Sequence, residues 1–472
     1  MPRAKTWLRR IATVQALLAT AACSVGPAYV RPSVAAPAAF KEAATPGWQT
    51  AGIAVPPAGR WWEAFGDAEL STLESRIEAA NANLAAAVAR YDEAQGLLRQ
   101  ARADRFPQIS AGADVARQRV SAGRPLSPGY AATYSAVTIG PSVEYEVDLF
   151  GRVRNSIRAG QANAAASAAD LAGVRLGLQA QLASVYFDMR GLDARIVLLR
   201  QTVDAYQRAF TLTDTRHAGG IASGIDVSRS QNLLSSARAE LQAVSIDRQR
   251  DEHAIAVLVG EAPAALAIAV VERQTAPPVL LAGLPSGLLE RRPDILAAER
   301  RVAAANARIG VARAALFPSI TLGASGGFEA ASGALLSAAN GFWALGPLST
   351  ALSLLDGGRR RGGVQVARAQ FDEAAANYRQ TVLVAFREVE DDLVSQRLLA
   401  AQERDQGVAA AAAEHTRELA LIRYRDGAAD YLEVVTAQTA ALDAERALLD
   451  VRNRQLQTAT DLVRALGGTW QP

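Results

Sequence analysis

The sequence repeats itself once, and this repeat constrains the fold more than any other feature. The segment RHAGG at 216–220 aligns with RYRDG at 423–427, an offset of 207 residues (423 − 216). The same offset carries Arg152 onto Arg359, whereas the Phe-Pro pairs that begin at 106 and 317 lie 211 residues apart (317 − 106). A repeat with one insert of variable length predicts two similar halves built on a fixed frame.

The frame of each half is predicted to be helical. Residues 152–216 and 360–425 contain no proline and are rich in strong helix formers. At about 1.5 Å per residue each forms a rod of roughly 90 Å, a length that requires packing as a coiled coil. Two shorter helices are predicted beside each rod, at about 81–105 and 226–260 in the first half and at about 293–316 and 432–466 in the second.

The inserts at about 107–150 and 318–356 alternate apolar with small or polar residues, so each is predicted to be a pair of strands. Strands of this length can cross an outer membrane, which takes about 9–11 residues. Four strands cannot close a barrel, and an open sheet edge cannot face lipid. Several copies are therefore expected to share one barrel, with twelve strands for three copies. The alternative is a pair of soluble hairpins packed on the helices.

The N-terminus predicts export. Residues 1–10 are basic, 11–22 are mostly apolar and too short to span a bilayer, and Cys23 follows small residues, which is typical of a secretory signal peptide at 1–22. Removing its four basic residues changes the formal charge from +3 to −1 (3 − 4), so the basic pI is no argument for nucleic acid binding. Because Cys23 is the only cysteine, a disulfide framework is excluded. Cys23 at this place resembles the acylation site of a bacterial lipoprotein, and the alternative is an incidental cysteine after an ordinary secretory signal.

Four stretches resemble one family, the outer membrane factors of tripartite efflux systems (OprM-like and TolC-like proteins), in their lipoprotein branch. They are CSVGPAYVRP at 23–32, the pattern from Trp61 to Leu84, LLERRPDI at 288–295 with its continuation to Pro318, and DLFGR at 148–152 with DGGR at 356–359 as its counterpart. The resemblance implies an α+β membrane protein with two structural repeats. It would form a homotrimer with a long coiled-coil α-helical barrel and a transmembrane β-barrel of four strands per protomer.

The same resemblance implies a function. The protein would be lipid-anchored through Cys23 in the outer membrane, with a long periplasmic extension. It would passively conduct drugs and toxic compounds from a periplasmic adaptor and an inner-membrane pump of the RND type to the outside. The alternatives are the duct of a type I protein secretion system and a structural coiled-coil lipoprotein without a pore.

We divide the chain into signal peptide 1–22, extended segment 23–60, first repeat 61–270 and second repeat 271–472.

The resemblance also suggests site residues at the ends of the rods. The family closes its periplasmic end just after the turn of the second half, where this chain has Leu432, Glu433 and Thr436. Three copies of Glu433 around an axis would repel one another and attract cations, or Glu433 is a solvated acid at a helix end. The expected docking surface for the adaptor comprises both turns, with Gly220, Ile225, Asp226, Gly427 and Asp430.

Catalysis is not expected. A Gly-x-Ser-x-Gly match at 323–327 lies in a predicted strand and loop, although a nucleophile elbow needs a strand-to-helix turn. The three histidines are scattered over predicted coiled coil, which also argues against a zinc site. No cofactor is expected, and without a phosphate-binding loop the energy for transport must come from a partner.

Overall fold

A computed structural model describes residues 25–42, 59–123, 129–271, 275–278, 285–331 and 335–468. The predicted signal peptide and Cys23 lie outside this part of the chain. None of the helices within it combines the length and the hydropathy needed to cross a bilayer.

Three helices of the first half have counterparts of the same length in the second half. The long helices α3 (Arg152–Ala218) and α7 (Arg359–Arg425) have 67 residues each. The helices that follow them, α4 (Gly224–Leu258) and α8 (Tyr431–Ala465), have 35 residues each. The others are α1 (Ala68–Ala80), α2 (Ala82–Ala103), α5 (Pro285–Arg291) and α6 (Pro293–Ala314), with α2 and α6 both of 22 residues. At about 1.5 Å per residue, α3 and α7 are each about 100 Å long.

Helices α2 and α6 end two residues before the predicted limits of 105 and 316. In both, the last turn tightens into i to i+3 hydrogen bonds before the proline, with Phe106 N donating to Ala103 O and Phe317 N to Ala314 O. Such tightening is common at helix ends, and the residue ahead of a proline is disfavoured in helical conformation. The predicted ends of the other helices differ from the observed ones by two residues or fewer.

Each insert forms a hairpin, and the two hairpins join in one antiparallel sheet of order β1-β2-β3-β4. The strands are β1 (Gln108–Val120), β2 (Ala132–Glu146), β3 (Ser319–Ala330) and β4 (Gly341–Ala351). At Gly140 a Cβ would collide with the backbone oxygen of Gly326, so the close approach of β2 and β3 requires glycine there. Because the strand order is β1-β2-β3-β4, the two outer strands of the sheet are β1 and β4.

The compact units of the chain do not coincide with the sequence repeats. Of the described residues, one unit comprises those within 25–33, 91–167 and 297–378 and contains the sheet, and the other comprises those within 34–90, 168–296 and 379–468. Each therefore takes segments from both halves. The main core of the second unit surrounds Trp61, Trp62 and Phe65, which pack on Tyr186 and Phe187 of α3. The prediction of two internal structural repeats is confirmed by the matched elements, and each compact unit contains segments of both repeats.

Within the first unit, two of the sequence signatures contact each other. The Tyr29 hydroxyl donates a hydrogen bond of 2.5 Å to Glu299 of α6, and burial together with this carboxylate raises the pKa of Tyr29. A Cβ on Gly26 would lie 3.0 Å from Cα of Gly310, so glycine allows the N-terminal segment to lie close against α6. The motif near the N-terminus is therefore complementary to the motif that continues from 293 along α6.

Candidate functional site: the two helical turns

The first turn joins α3 to α4 through a left-handed glycine. Gly220 has φ 74°, and Ile221 N donates to Arg216 O at 2.8 Å, which satisfies a carbonyl at the end of α3. Helix α4 then begins with a capping box, in which the Ser223 side chain accepts from Asp226 N and the Asp226 carboxylate accepts from Ser223 N. The side chains of Ile221 and Ile225 are both exposed.

The second turn repeats this backbone with different side chains. Gly427 has φ 76°, and Ala428 N donates to Arg423 O at 2.8 Å. Asp430 caps α8 by accepting a hydrogen bond of 3.0 Å from Glu433 N. The two turns therefore have the same backbone geometry, because the same glycine and capping positions recur 207 residues apart (427 − 220).

The predicted aperture residues line one shallow groove of about 450 Å³. Leu432 is half-exposed there, and the Thr436 hydroxyl donates to Leu432 O at 2.9 Å, so both lie on one face of α8. The docking residue Asp430 borders the same groove, with Thr416 and Ala420 of α7 on the other side. The lining combines apolar side chains with the hydroxyls of Thr416 and Thr436 and the carboxylates of Asp430 and Glu433.

Glu433 has a partner that neither interpretation of the sequence included. Its Oε1 accepts from Arg423 Nη1 at 2.7 Å, and both side chains are more than a third exposed. This pair neutralises the carboxylate locally, although an exposed ion pair contributes only about 0–1 kcal/mol.

The two turns also contact each other through residues that were not predicted. The Arg216 guanidinium donates to Tyr424 O and Arg425 O, each at 3.0 Å, and lies 4.6 Å from the Tyr424 ring centroid. It thereby satisfies two carbonyls at the C-terminus of α7, where a cation is also favoured by the helix dipole. The alignment of Arg216 with Arg423 marks both arginines, but it does not reveal that only one of them reaches the other turn.

An aromatic cluster lies behind this contact. The Tyr424 and Tyr431 rings meet edge to face at 5.3 Å, and Val434 packs against them. The Tyr431 hydroxyl lies near Ser230 and Thr213 of the first half, and burial raises the pKa of Tyr431. A tyrosine on each side of the turn is the only sequence signal for this cluster.

The Gly-x-Ser-x-Gly match does not have the strand-to-helix turn that a nucleophile elbow requires. The Gly-x-Ser-x-Gly match at 323–327 lies inside β3, in the sheet rather than at a turn into a helix. Within the described ranges, no group of three or more His, Cys, Asp or Glu side chains is arranged to hold a metal ion.

Comparison with known proteins identifies the class of protein that has this architecture. A family model described as outer membrane efflux protein matches residues 73–261 and 284–468. The chain belongs to this family. The predicted family, fold class and outer membrane location are thereby confirmed, as is the predicted role as an outer-membrane channel of an efflux system.

Individual relatives support the same assignment over nearly the whole length. The chain is 36% identical to outer membrane protein OprJ of Pseudomonas aeruginosa, over 96% of this chain and 94% of that protein. It is 33% identical to the toluene efflux pump outer membrane protein TtgC of Pseudomonas putida, over 95% and 93%. The solved outer-membrane channel OprN has a TM-score of 0.87 and 30% identity, over 95% of this chain and 100% of that one.

Proposed function

We propose that this chain is one subunit of a homotrimeric exit channel that passively conducts small molecules through the outer membrane. The observation that carries the proposal is the sheet with two unpaired outer strands in a chain of the outer membrane efflux family. Four strands are too few to close around a lumen, so the sheets of three copies would join. The conducted molecules would be delivered by a periplasmic adaptor and an inner-membrane pump of the RND type.

The groove at the second turn is the proposed aperture. Three copies of Leu432 around the axis would form an apolar constriction, and Thr436 would line the next turn of α8. The ion pair between Glu433 and Arg423 means that the ring carries both signs of charge. We therefore expect weaker cation attraction than three unpaired carboxylates would give.

Both turns are proposed to receive the adaptor. The first turn presents exposed Ile221 and Ile225, whereas the second has Ala428 and the less exposed Leu432 at the related positions (221 + 207 and 225 + 207) and presents Gly427 and Asp430. Apolar anchors surrounded by polar groups are typical of protein interfaces. The first turn would therefore contribute most of the apolar contact with the adaptor.

The remaining elements of the proposal concern chemistry and anchoring. The chain would carry out no catalytic step, since conduction needs none and the pump supplies the energy. Cys23 would be acylated and would hold the N-terminus at the membrane, where more than one acyl chain is needed for stable attachment.

The test uses a strain in which the gene is deleted, with accumulation of dyes and antibiotics as the readout. The wild-type chain should restore low accumulation, and Leu432→Ala should change the accumulation of at least some compounds. Leu419→Ala is the matched control, because Leu419 and Leu432 are both 47% exposed but Leu419 does not line the groove. Unchanged accumulation on deletion, with secretion of a protein lost instead, would replace small-molecule efflux by the type I secretion duct.

A further inference from the structure

One face of the sheet is apolar and exposed. Val115 of β1 is 76% exposed, and Trp343 and Leu345 of β4 are 82% and 86% exposed. The register places these three side chains on the same face, because residues opposite each other in a sheet point to one side and neighbours along a strand alternate. We call it the apolar face. An uncovered apolar surface marks contact with a membrane or a partner, and in an outer membrane protein it meets lipid.

The other face of the sheet is polar. Ser110 and Ser142 hydrogen-bond across β1 and β2 at 2.8 Å, and the Gln118 amide donates to the Tyr134 hydroxyl on the same side. Transmembrane barrels alternate apolar residues toward lipid with polar residues toward the lumen. The contrast between the faces therefore assigns the polar face to the lumen of the proposed channel and the apolar face to the bilayer.

Two arginines interrupt the apolar face at the hairpin end of β1, away from α2. Arg117 and Arg119 follow Val115 in steps of two residues, so their side chains lie on the same side. The register places Arg117 opposite Ser135 and Arg119 opposite Thr133 of β2, and all four residues are exposed. Among the residues that the structure describes, neither guanidinium has an ion-pair partner. Two cations and two hydroxyls therefore meet at one place on the face that lipid covers.

The depth of the two arginines matches the outer boundary of the hydrocarbon layer. Ile109, at the start of β1, is 75% exposed on the same face. Arg117 lies eight residues beyond it (117 − 109) and Arg119 ten (119 − 109), or about 27 and 34 Å along a strand that rises about 3.4 Å per residue. A tilt of about 40° reduces these distances to heights of about 21 and 26 Å, and the apolar band of such barrels is about 25 Å tall. Since the helices extend into the periplasm, the guanidinium groups lie at the level of the head groups in the outer leaflet.

The second hairpin has different residues at the related positions. Adding the offset of 211 to Arg117 and Arg119 gives Phe328 and Ala330 (117 + 211 and 119 + 211). The register places Phe328 on the apolar face as well, opposite Ile139. Aromatic side chains are typical of the boundary between acyl chains and head groups. At these related positions each copy therefore presents arginines on its first hairpin and an aromatic ring on its second.

We propose that Arg117 and Arg119, together with the hydroxyls of Ser135 and Thr133, bind a phosphate group of the lipopolysaccharide in the outer leaflet of the membrane. The proposal rests on the proposed channel, because it requires the apolar face to meet lipid. Guanidinium groups bind phosphate through paired, charge-assisted hydrogen bonds, and the hydroxyls opposite them supply two further donors. The low polarity of the neighbouring acyl chains strengthens these contacts relative to water.

Charge complementarity and depth favour this ligand over other phosphates. The outer leaflet of a bacterial outer membrane consists mainly of lipopolysaccharide, which carries phosphate groups where its acyl chains end. Phospholipid head groups belong to the inner leaflet, at the other end of the apolar band and about 25 Å away. A soluble phosphate would gain nothing from the apolar side chains that continue along β1 from the arginines.

Titration of the purified, delipidated chain with lipid A, the phosphorylated acyl anchor of lipopolysaccharide, tests the site by native mass spectrometry. Arg117→Gln with Arg119→Gln should weaken binding by about tenfold or more, since two charged donors are lost. Arg117→Lys with Arg119→Lys keeps the charge but loses the paired geometry, and should give an intermediate affinity. Arg404→Gln with Arg454→Gln is the matched control and should bind like the wild type, because it removes the same charge from two exposed helical arginines.

Several results would overturn the proposal. Equal binding of lipid A by the wild type and the glutamine variant at 117 and 119 would show that the arginines are not the site. Equal binding of dephosphorylated lipid A would show that acyl chains alone are recognised. Equal binding of phosphatidylglycerol would point to a phospholipid, and competition by inorganic phosphate would point to a site for free anions.

A second variant covers the case in which the glutamine variant fails to fold. Ser135→Ala with Thr133→Ala leaves both arginines in place and removes the hydroxyl donors, so lipid A should bind about threefold more weakly. Unchanged binding in this variant would contradict the proposed site.

Drug accumulation in the deletion strain separates failure of this site from failure of the proposed function. Efflux by the wild-type chain, together with unchanged lipid A binding in the glutamine variant, refutes only the lipid site. Absence of efflux with the wild-type chain refutes the proposed function, whatever the purified protein binds.

Discussion

The two helical turns have the same backbone and different connections, and the difference shows what a repeat can change. Each turn has a left-handed glycine and a capped second helix. In the first turn Arg216 reaches across to the end of α7, whereas its counterpart Arg423 stays within its own turn and pairs with Glu433. The backbone geometry is fixed by local residues, so side chains at related positions are free to take different partners.

The acidic residues at related positions of the two turns also have different partners. Asp226 completes a capping box, but Glu433 at the related position (226 + 207) gives its carboxylate to Arg423 and leaves the cap to Asp430. In the first turn, the capping residues Ser223 and Asp226 therefore bond to each other, while Arg216 donates to the last carbonyls of α7 in the second turn. Because the arginine contact is formed by the first turn and received by the second, the two turns are expected to respond unequally to equivalent substitutions.

The largest expected difference is between the two arginines. Arg216→Ala removes two hydrogen bonds to helix-terminal carbonyls and a cation–π contact, and should make local opening of the second turn easier by about 2 kcal/mol. Arg423→Ala removes an exposed ion pair and should cost less than about 1 kcal/mol. Amide hydrogen exchange of residues 424–434 measures both. Equal protection in the two variants would remove the asymmetry on which the comparison depends.

The two glycines should behave alike. Gly220→Ala and Gly427→Ala each place a Cβ at a positive φ, with nothing within 4 Å to clash, so backbone strain alone should cost about 1 kcal/mol in each turn. Asparagine tolerates this conformation better, and Gly220→Asn and Gly427→Asn should recover part of the loss. The measurement is hydrogen exchange in each turn. A cost confined to one turn would show that the backbones are not equivalent.

The two tyrosines of the aromatic cluster test the comparison through smaller expected changes in stability. Tyr431→Phe removes a polar hydroxyl that lies near those of Ser230 and Thr213, and should weaken the turn by about 1 kcal/mol. The Tyr424 hydroxyl is buried and has no hydrogen-bond partner among the described residues, so Tyr424→Phe should be neutral or stabilising. Thermal unfolding of the purified protein compares the variants. Greater loss of stability in Tyr424→Phe than in Tyr431→Phe would contradict this assignment.

The smallest expected effect belongs to Glu433. Glu433→Gln breaks the pair with Arg423 but leaves the cap at Asp430, and should change stability by less than about 0.5 kcal/mol, with the change vanishing in high salt. Asp226→Asn is the matched substitution in the first turn, and should cost more because it weakens the capping box. Unfolding at low and high salt separates the two. A salt-independent loss in Glu433→Gln would indicate a role beyond the ion pair.

Sequence reasoning located six of the helices to within about two residues because the signals involved are local, but it extended the two strand pairs to 150 and 356, past the observed ends at Glu146 and Ala351. Helix formers, prolines and alternation act over a few residues, and the repeat makes each half a check on the other. It missed the early ends of α2 and α6, where a tightened last turn competes with continuation of the helix. It placed Leu432, Glu433, Thr436 and Asp430 near one another, and the structure brings them to one groove, while their role as an aperture stays a prediction.

The sequence by itself determined the two halves, the lengths of their helices, the presence of two hairpins and the positions of the two turns. Only the tertiary structure decided which side chains meet across those elements: Tyr29 with Glu299, Arg216 with the end of α7, and Arg423 with Glu433. The physical reason is that helix and strand formation depends on neighbours along the chain, whereas a long side chain chooses among several partners by distances that only the packed structure sets. The same reason explains why Arg216 and Arg423, which occupy the same position in the two repeats, have different partners.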